Sequence, residues 1–293
     1  MSTERVGKNW QSMGIDTFST PAILGTLAHY GVTIDEAEYQ RRASEDFPFA
    51  IASEWQQKWK GTGQFAPFPA SASEELWRRL MKGDICPSDM AIAMIQLCVD
   101  SAALITQKKL PDTLEARYRV LEAYVPRVPP TGDRREKFMA EVVWILADTM
   151  EQFDTMAAEL ARAEQNEQAV KFATLEELIF PVRKDVARAV VEASIGDKAK
   201  AIETLKQVTT DTSRDDFNRL GANAVLIDLG ELNAAVPLLY SLCDRAQAEK
   251  DFELGSALAD QMSEMLKANP KFPERNALRE RLIALATALE PQA

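Results

Sequence analysis

"EASIGDKAKAIETLKQV", residues 192–208, is followed thirty-four residues later by "LIDLGELNAAVPLLYSL", residues 226–242. Gly196 and Gly230 fall in register, Ala201 and Ala235 come five places after each, and Leu205 and Leu239 nine places after each. Glycine at a turn lets a helix end in the left-handed conformation, and a small residue at a helix crossing lets two backbones approach closely. Ile202, Leu205 and Val208 match Val236, Leu239 and Leu242 as an apolar stripe on the helix after each glycine. A period of 34 suits a helical hairpin that cannot bury its apolar face alone and stacks on its neighbour. The two stretches therefore predict an all-α C-terminal half built from paired helices.

This order of residues resembles tetratricopeptide repeats, over about residues 182 to 270. The matching positions are Gly196, Ala201 and Leu205, then Gly230, Ala235 and Leu239, and Asn269-Pro270 resembles the proline stop that closes such a repeat. The resemblance implies antiparallel helical hairpins stacked as a right-handed solenoid, and contact with other proteins. Arg188 and Glu192 depart from it, standing where a leucine and an aromatic are expected, and Pro237 falls inside a second helix. An interior proline typically costs about 3 kcal/mol unless a kink is wanted. The region is thus read as repeat-like, with a non-repetitive bundle as the alternative. A third hairpin, "DFELGSALADQMSEMLKAN" with "ERNALRERLIALATALE", is expected to cap the stack.

Towards the N-terminus the chain is punctuated for helices and nearly free of strand signals. Ser19 or Thr20 can cap a helix with Pro21 in its first turn, ending near Gly31. Thr33 with Glu36, Ser71 with Glu74, and Thr174 with Glu177 have capping-box spacing. A largely apolar helix is predicted over about residues 88–108, and another over "LPDTLEARYRVLEAY". "VPRVPPTGDRR", residues 125–135, reads as a connector, dividing the chain into residues 1–130 and 131–293. Beyond it, "REKFMAEVVWILADTMEQFDTMAAELARAE" keeps helical period for roughly thirty residues and is expected to be the longest helix.

Charge narrows the choice of partner. Residues 131–293 hold 20 Lys/Arg against 29 Asp/Glu, so they carry most of the net charge of -11. A surface of that sign repels phosphate backbones and anionic lipid heads, which argues against nucleic-acid and membrane binding and favours a basic partner. The N-terminal residues lack a secretory core and no run was expected to reach bilayer-spanning length, which predicts a cytoplasmic protein. Cys86, Cys98 and Cys243 are widely spaced without a CxxC pair and are expected to be buried thiols.

Few residues suit catalysis. His29 is the single histidine, near a helix end with no acidic neighbour in sequence, so triads and the common zinc or di-iron sets are out of reach. No Walker loop or dinucleotide fingerprint occurs. Asp148, Glu151 and Asp154 recur every three residues, a pattern that an exposed acidic face also produces. No catalytic, cofactor-binding or metal residue is assigned, and no cofactor is expected.

Phe47, Phe49, Trp55, Trp59, Phe65 and Phe68 place six aromatics in 22 residues, against 8% aromatics in the chain. Such density belongs either to a core or to a docking surface, with Trp55 and Trp59 on one helical face and Trp55, Trp59, Phe65 and Phe68 as the candidate docking residues. The expected function is a non-catalytic interaction, scaffold or regulatory protein that binds a peptide or helix of a partner. The alternatives are a regulator that senses a small apolar ligand among the N-terminal aromatics, and an enzyme of an unfamiliar all-α class.

Overall fold

Ser19 accepts a hydrogen bond from the Ala22 amide (3.2 Å) and opens a helix whose first turn contains Pro21. Proline in the first turn, where no backbone donor is needed, recurs in four helices of the N-terminal half, of which only this one has a side-chain cap. A computed structural model, which describes residues 4–289, is all-helical, with no strand among the described residues. The helices are α1 (Trp10–Met13), α2 (Thr20–His29), α3 (Glu36–Glu45), α4 (Pro48–Lys58), α5 (Phe68–Leu80), α6 (Pro87–Gln107), α7 (Leu114–Tyr124), α8 (Asp133–Leu146) and α9 (Met150–Arg162). They continue with α10 (Asn166–Ile179), α11 (Val186–Ser194), α12 (Lys198–Thr210), α13 (Asp216–Asp228), α14 (Leu232–Glu249), α15 (Phe252–Ala268) and α16 (Arg275–Leu289).

The chain divides into two compact units, Met1–Asp154 and Thr155–Ala293, rather than near residue 130. The proline-rich stretch is not a free connector, because its neighbours are fastened to the first unit. Arg127 donates from Nε to the Gly83 carbonyl (2.9 Å), and Arg134 donates from Nη1 to the carbonyls of Ala43 (3.2 Å) and Ser44 (2.8 Å). Phe138 is fully buried against Phe47, ring centroids 5.4 Å apart, so α8 belongs with the N-terminal helices.

In the first unit α4 packs on α5, and α6 lies against α7 and α8. At 21 residues α6 is the longest helix, and it is long and apolar enough by composition to cross a bilayer, which corrects the expectation that no run would be. Its Met90, Met94, Leu97 and Leu104 are buried. The thirty-residue helix expected after residue 134 is two helices, α8 and α9, broken at 147–149. There Thr149 turns its hydroxyl back onto the Leu146 carbonyl (3.1 Å), a local alternative to helix continuation.

The three capping boxes take other forms. Asp35, not Thr33, caps α3 by accepting from the Glu38 amide (2.8 Å). Ser71 and Glu74 lie inside α5, which the Pro67–Pro69 segment starts three residues earlier. Thr174 lies inside α10 and donates to the Val170 carbonyl (2.8 Å), so α10 does not restart.

In the second unit each helix from α10 to α16 packs on the next, and α11 on α13, α12 on α14, α13 on α15 and α14 on α16 also touch. One cluster of buried side chains joins Val186, Ala201, Leu205, Leu226 and Ala235; a second joins Leu239, Leu242, Leu258, Met262, Leu278 and Leu285. Each fully buried leucine contributes about 2 kcal/mol relative to exposure. α14 runs through Pro237 unbroken. Pro237 and Asn233, whose carbonyl loses its helical partner there, are both exposed, so water can take the place of the missing bond. α16 buries few side chains, Leu278 and Leu285 among them, and leaves Ile283 exposed at the end of the stack.

Candidate functional site

Of the four aromatics expected to form one docking set, three come together and one does not. Trp55, on α4, is buried and faces Tyr39 of α3, centroids 6.0 Å apart. Trp59 lies just beyond the end of α4, in extended backbone, so the two tryptophans do not share a helical face. Trp59 instead stacks on Phe68 at 5.8 Å and meets Tyr30 at 5.0 Å. Phe65 lies 5.9 Å from Phe68 and 5.2 Å from Tyr30, and Trp10 closes the group edge-on to Phe68 at 5.2 Å.

Both indole N–H groups of this layer are spent on backbone: Trp59 Nε1 donates to the Phe65 carbonyl (2.8 Å) and Trp10 Nε1 to the Gln64 carbonyl (3.1 Å). Phe65 and Phe68 are buried, and Trp59 is half-buried. Gly61 must be glycine-small beneath it, since a Cβ there would lie 2.5 Å from Trp59 Nε1. The arrangement is a packed layer that pins the 59–67 loop. Trp10 and Tyr30 were not legible as members, because they stand far from the aromatic-rich window in sequence. Two exposed aromatics, Phe49 and Trp144, pair elsewhere with ring centroids 4.3 Å apart, and Phe252 is exposed as well.

The residues that define the repeat hold equivalent positions. Gly196 has φ 103° and Gly230 φ 82°, both left-handed. Each turn is closed by the same bonds: Asp197 N to Glu192 O (2.9 Å) and Glu231 N to Leu226 O (2.8 Å) across the glycine, and Ile195 N to Val191 O (3.0 Å) and Leu229 N to Val225 O (2.9 Å) before it. Ala201, Leu205, Ala235 and Leu239 are fully buried. The turns of α11–α12 and α13–α14 therefore share one geometry, and the four helices pack in succession.

Between them α13 carries a buried polar seam that the sequence did not reveal. Asn218 donates from Nδ2 to the carbonyls of Val182 (2.7 Å) and Lys184 (3.1 Å); Arg219 pairs with Asp216 (3.0 Å) and donates to the Thr209 carbonyl (3.2 Å). Arg245 of α14 also pairs with Asp216. Asn223 donates to Gln261 of α15 (3.0 Å), and Gln261 donates to the Leu220 carbonyl (3.0 Å). Buried networks of this kind favour one stacking register among several that apolar contacts alone would allow, although Asn223 Oδ1 finds no hydrogen-bond partner among the described residues. Further along the same two helices, Asp228 and Glu264 are neighbours. Partial burial, and after it the charge of Glu264, holds the Asp228 carboxyl above the usual carboxylate range.

Other chemistry is sparse. His29 is exposed and accepts a hydrogen bond at Nδ1 from Arg5 (2.9 Å). Asp148 lies in the turn between α8 and α9, off the helical face that the three-residue spacing implied. Among the described residues no group of three His, Cys, Asp or Glu side chains could hold a metal ion. The three cysteines are buried and form no disulfide.

No family model, curated protein or solved structure matches the chain.

Proposed function

We propose that α11–α16 form a tetratricopeptide-like right-handed solenoid that binds a basic peptide or helix of a partner protein and performs no catalysis. The observation that carries this reading is the common geometry of Gly196 and Gly230 with Ala201 and Ala235 fully buried, which makes two hairpins of one template. In stacked hairpins the first helices, here α11, α13 and α15, lie side by side and line an extended concave surface. The coupled carboxylates of Asp228 and Glu264 stand on two of those helices, and Asp260 adds a third acid on α15. A face of that sign attracts cationic side chains and raises their rate of encounter at low salt. The chain's own excess of acid beyond residue 130 favours the same partner.

The test is an array of synthetic peptides probed with the full-length protein and with Asp228→Asn/Glu264→Gln. Enrichment of Lys- and Arg-bearing amphipathic peptides, weakened by salt and lost in the double variant, is the expected outcome. Binding without charge preference, or equal binding by the variant, would overturn the reading.

A further inference from the structure

Residues 125–130, "VPRVPP", strap back across the turn between α5 and α6, and the space beneath them is not filled. A cavity of about 350 Å³ lies there, adjoining a second of about 160 Å³, and both are lined by Gly83, Asp84, Ile85 and Arg127. Around the two stand Arg78, Lys82, Arg127 and Arg134 with Asp84 and Asp89, and Arg78 is also met by Glu74 (3.2 Å) and Glu75 (3.8 Å), so what distinguishes the place is which cations are left unpaired.

Most of this charge is already spent. Arg78 pairs with Asp89 (2.7 Å), and Arg134 pairs with Asp84 (3.2 Å) while lying over the Phe47 ring at 4.8 Å. Arg127 and Lys82 have no carboxylate partner among the described residues. The Arg127 guanidinium is nevertheless fixed in orientation, because Nε donates to the Gly83 carbonyl (2.9 Å) and Nη2 to the Asp84 carbonyl (3.0 Å), with the Tyr124 ring at 5.9 Å. One edge of the fork is anchored to backbone, and Nη1 on the other edge has no acceptor among the described residues. A held guanidinium loses little freedom on binding and suits the planar or tetrahedral oxygens of an anion. Val128 and Pro129 supply an apolar wall beside it.

We propose that this cleft binds a small oxyanion, a carboxylate or phosphate group, on the free edge of Arg127, with Lys82 adding attraction from the cleft's rim. The site is independent of the peptide-binding reading, lying wholly within the first unit. It also differs from the aromatic layer of Trp59, Phe65 and Phe68 once expected to hold a ligand.

Isothermal titration of the full-length protein with sodium phosphate, and separately with sodium benzoate, at low chloride tests it. Saturable one-site binding of either probe is expected, phosphate alone or benzoate alone telling which oxyanion the cleft takes. Arg127→Gln should weaken that binding about tenfold or more, the loss of one charge-assisted hydrogen bond. Lys82→Ala should weaken it less, and Lys271→Ala, on the second unit, not at all. Lys82 is exposed, so its variant decides the matter should Arg127→Gln unfold the strap. No saturable binding of either probe up to millimolar concentration, or affinity unchanged in Lys82→Ala together with a folded Arg127→Gln, would overturn the proposal.

Discussion

The Glu141 carboxylate of α8 caps α4, accepting hydrogen bonds from the amides of Phe49 (3.2 Å, 92 residues away) and Ala50 (3.1 Å, 91 residues away). Phe47, at the cap position itself, offers no side-chain acceptor, so the orphan donors of the first turn are met from another helix. This contact and the Phe47–Phe138 ring pair add to the packing of α8 on α6 in holding α8 within the first unit.

Glu141 should make stability depend on pH near neutrality. Burial pushes its carboxyl up to about 7 against the pull of the two amides, with the charges of Glu74 and Asp46 adding to the rise. The folded state then holds the proton more tightly than the unfolded chain, so this contribution is complete below the ordinary carboxylate value and is lost as pH rises through about 7. Urea denaturation of wild type and Glu141→Gln between mildly acidic and mildly alkaline pH should show wild type losing stability relative to the variant as pH rises. A pH-independent difference would contradict it.

Gly196→Ala and Gly230→Ala should each destabilise the protein by about 1 kcal/mol, the cost of a Cβ in left-handed backbone. Nothing lies within 4 Å of the added Cβ at either site, so strain acts alone and the two losses should match. Chemical denaturation measures both; a clearly unequal pair would mean the turns are not equivalent.

Trp59→Ala should cost about 2 to 3 kcal/mol, below the cost of truncating a fully buried aromatic because Trp59 is half-buried. Gly61→Ala should destabilise as well, by forcing the indole off the Phe65 carbonyl. Melting curves give both values. If Trp59→Ala kept full stability, the layer would not be the packing element described.

The cysteines should be inert in the native state. Burial pushes the Cys86 thiol up to about 12 and that of Cys243 up to about 11, so almost no thiolate forms at pH 8. A chromogenic disulfide reagent should react only after denaturant is added, and rapid labelling of the native protein would show that the helices over them open readily.

Several features that depend on neighbours in the chain were legible, although the three capping boxes were not the caps formed. The helix class, the start of α2 at Ser19, the span of α6 to within a residue, and the left-handed turns at Gly196 and Gly230 all follow from local backbone preference. The division between units was not, because "VPRVPPTGDRR" carries linker composition while Arg127, Arg134 and Phe138 tie it back through contacts that composition cannot register. The break between α8 and α9 was hidden for another reason: Phe138, Val142, Leu146, Phe153 and Met156 stay in phase across it, and a break that preserves phase leaves hydrophobic period unchanged.

By itself, the amino-acid order determined that the protein is built of helices and where many of them turn, since caps, prolines and glycines act through dihedral angles of single residues. Only tertiary structure decided that Trp59 leaves Trp55 for Tyr30 and Phe68, that Glu141 caps a helix from afar, and that Arg127 is held with one edge open. Those outcomes rest on burial and on pairing of groups distant in the chain, whose energies exist only once the backbone has brought them together.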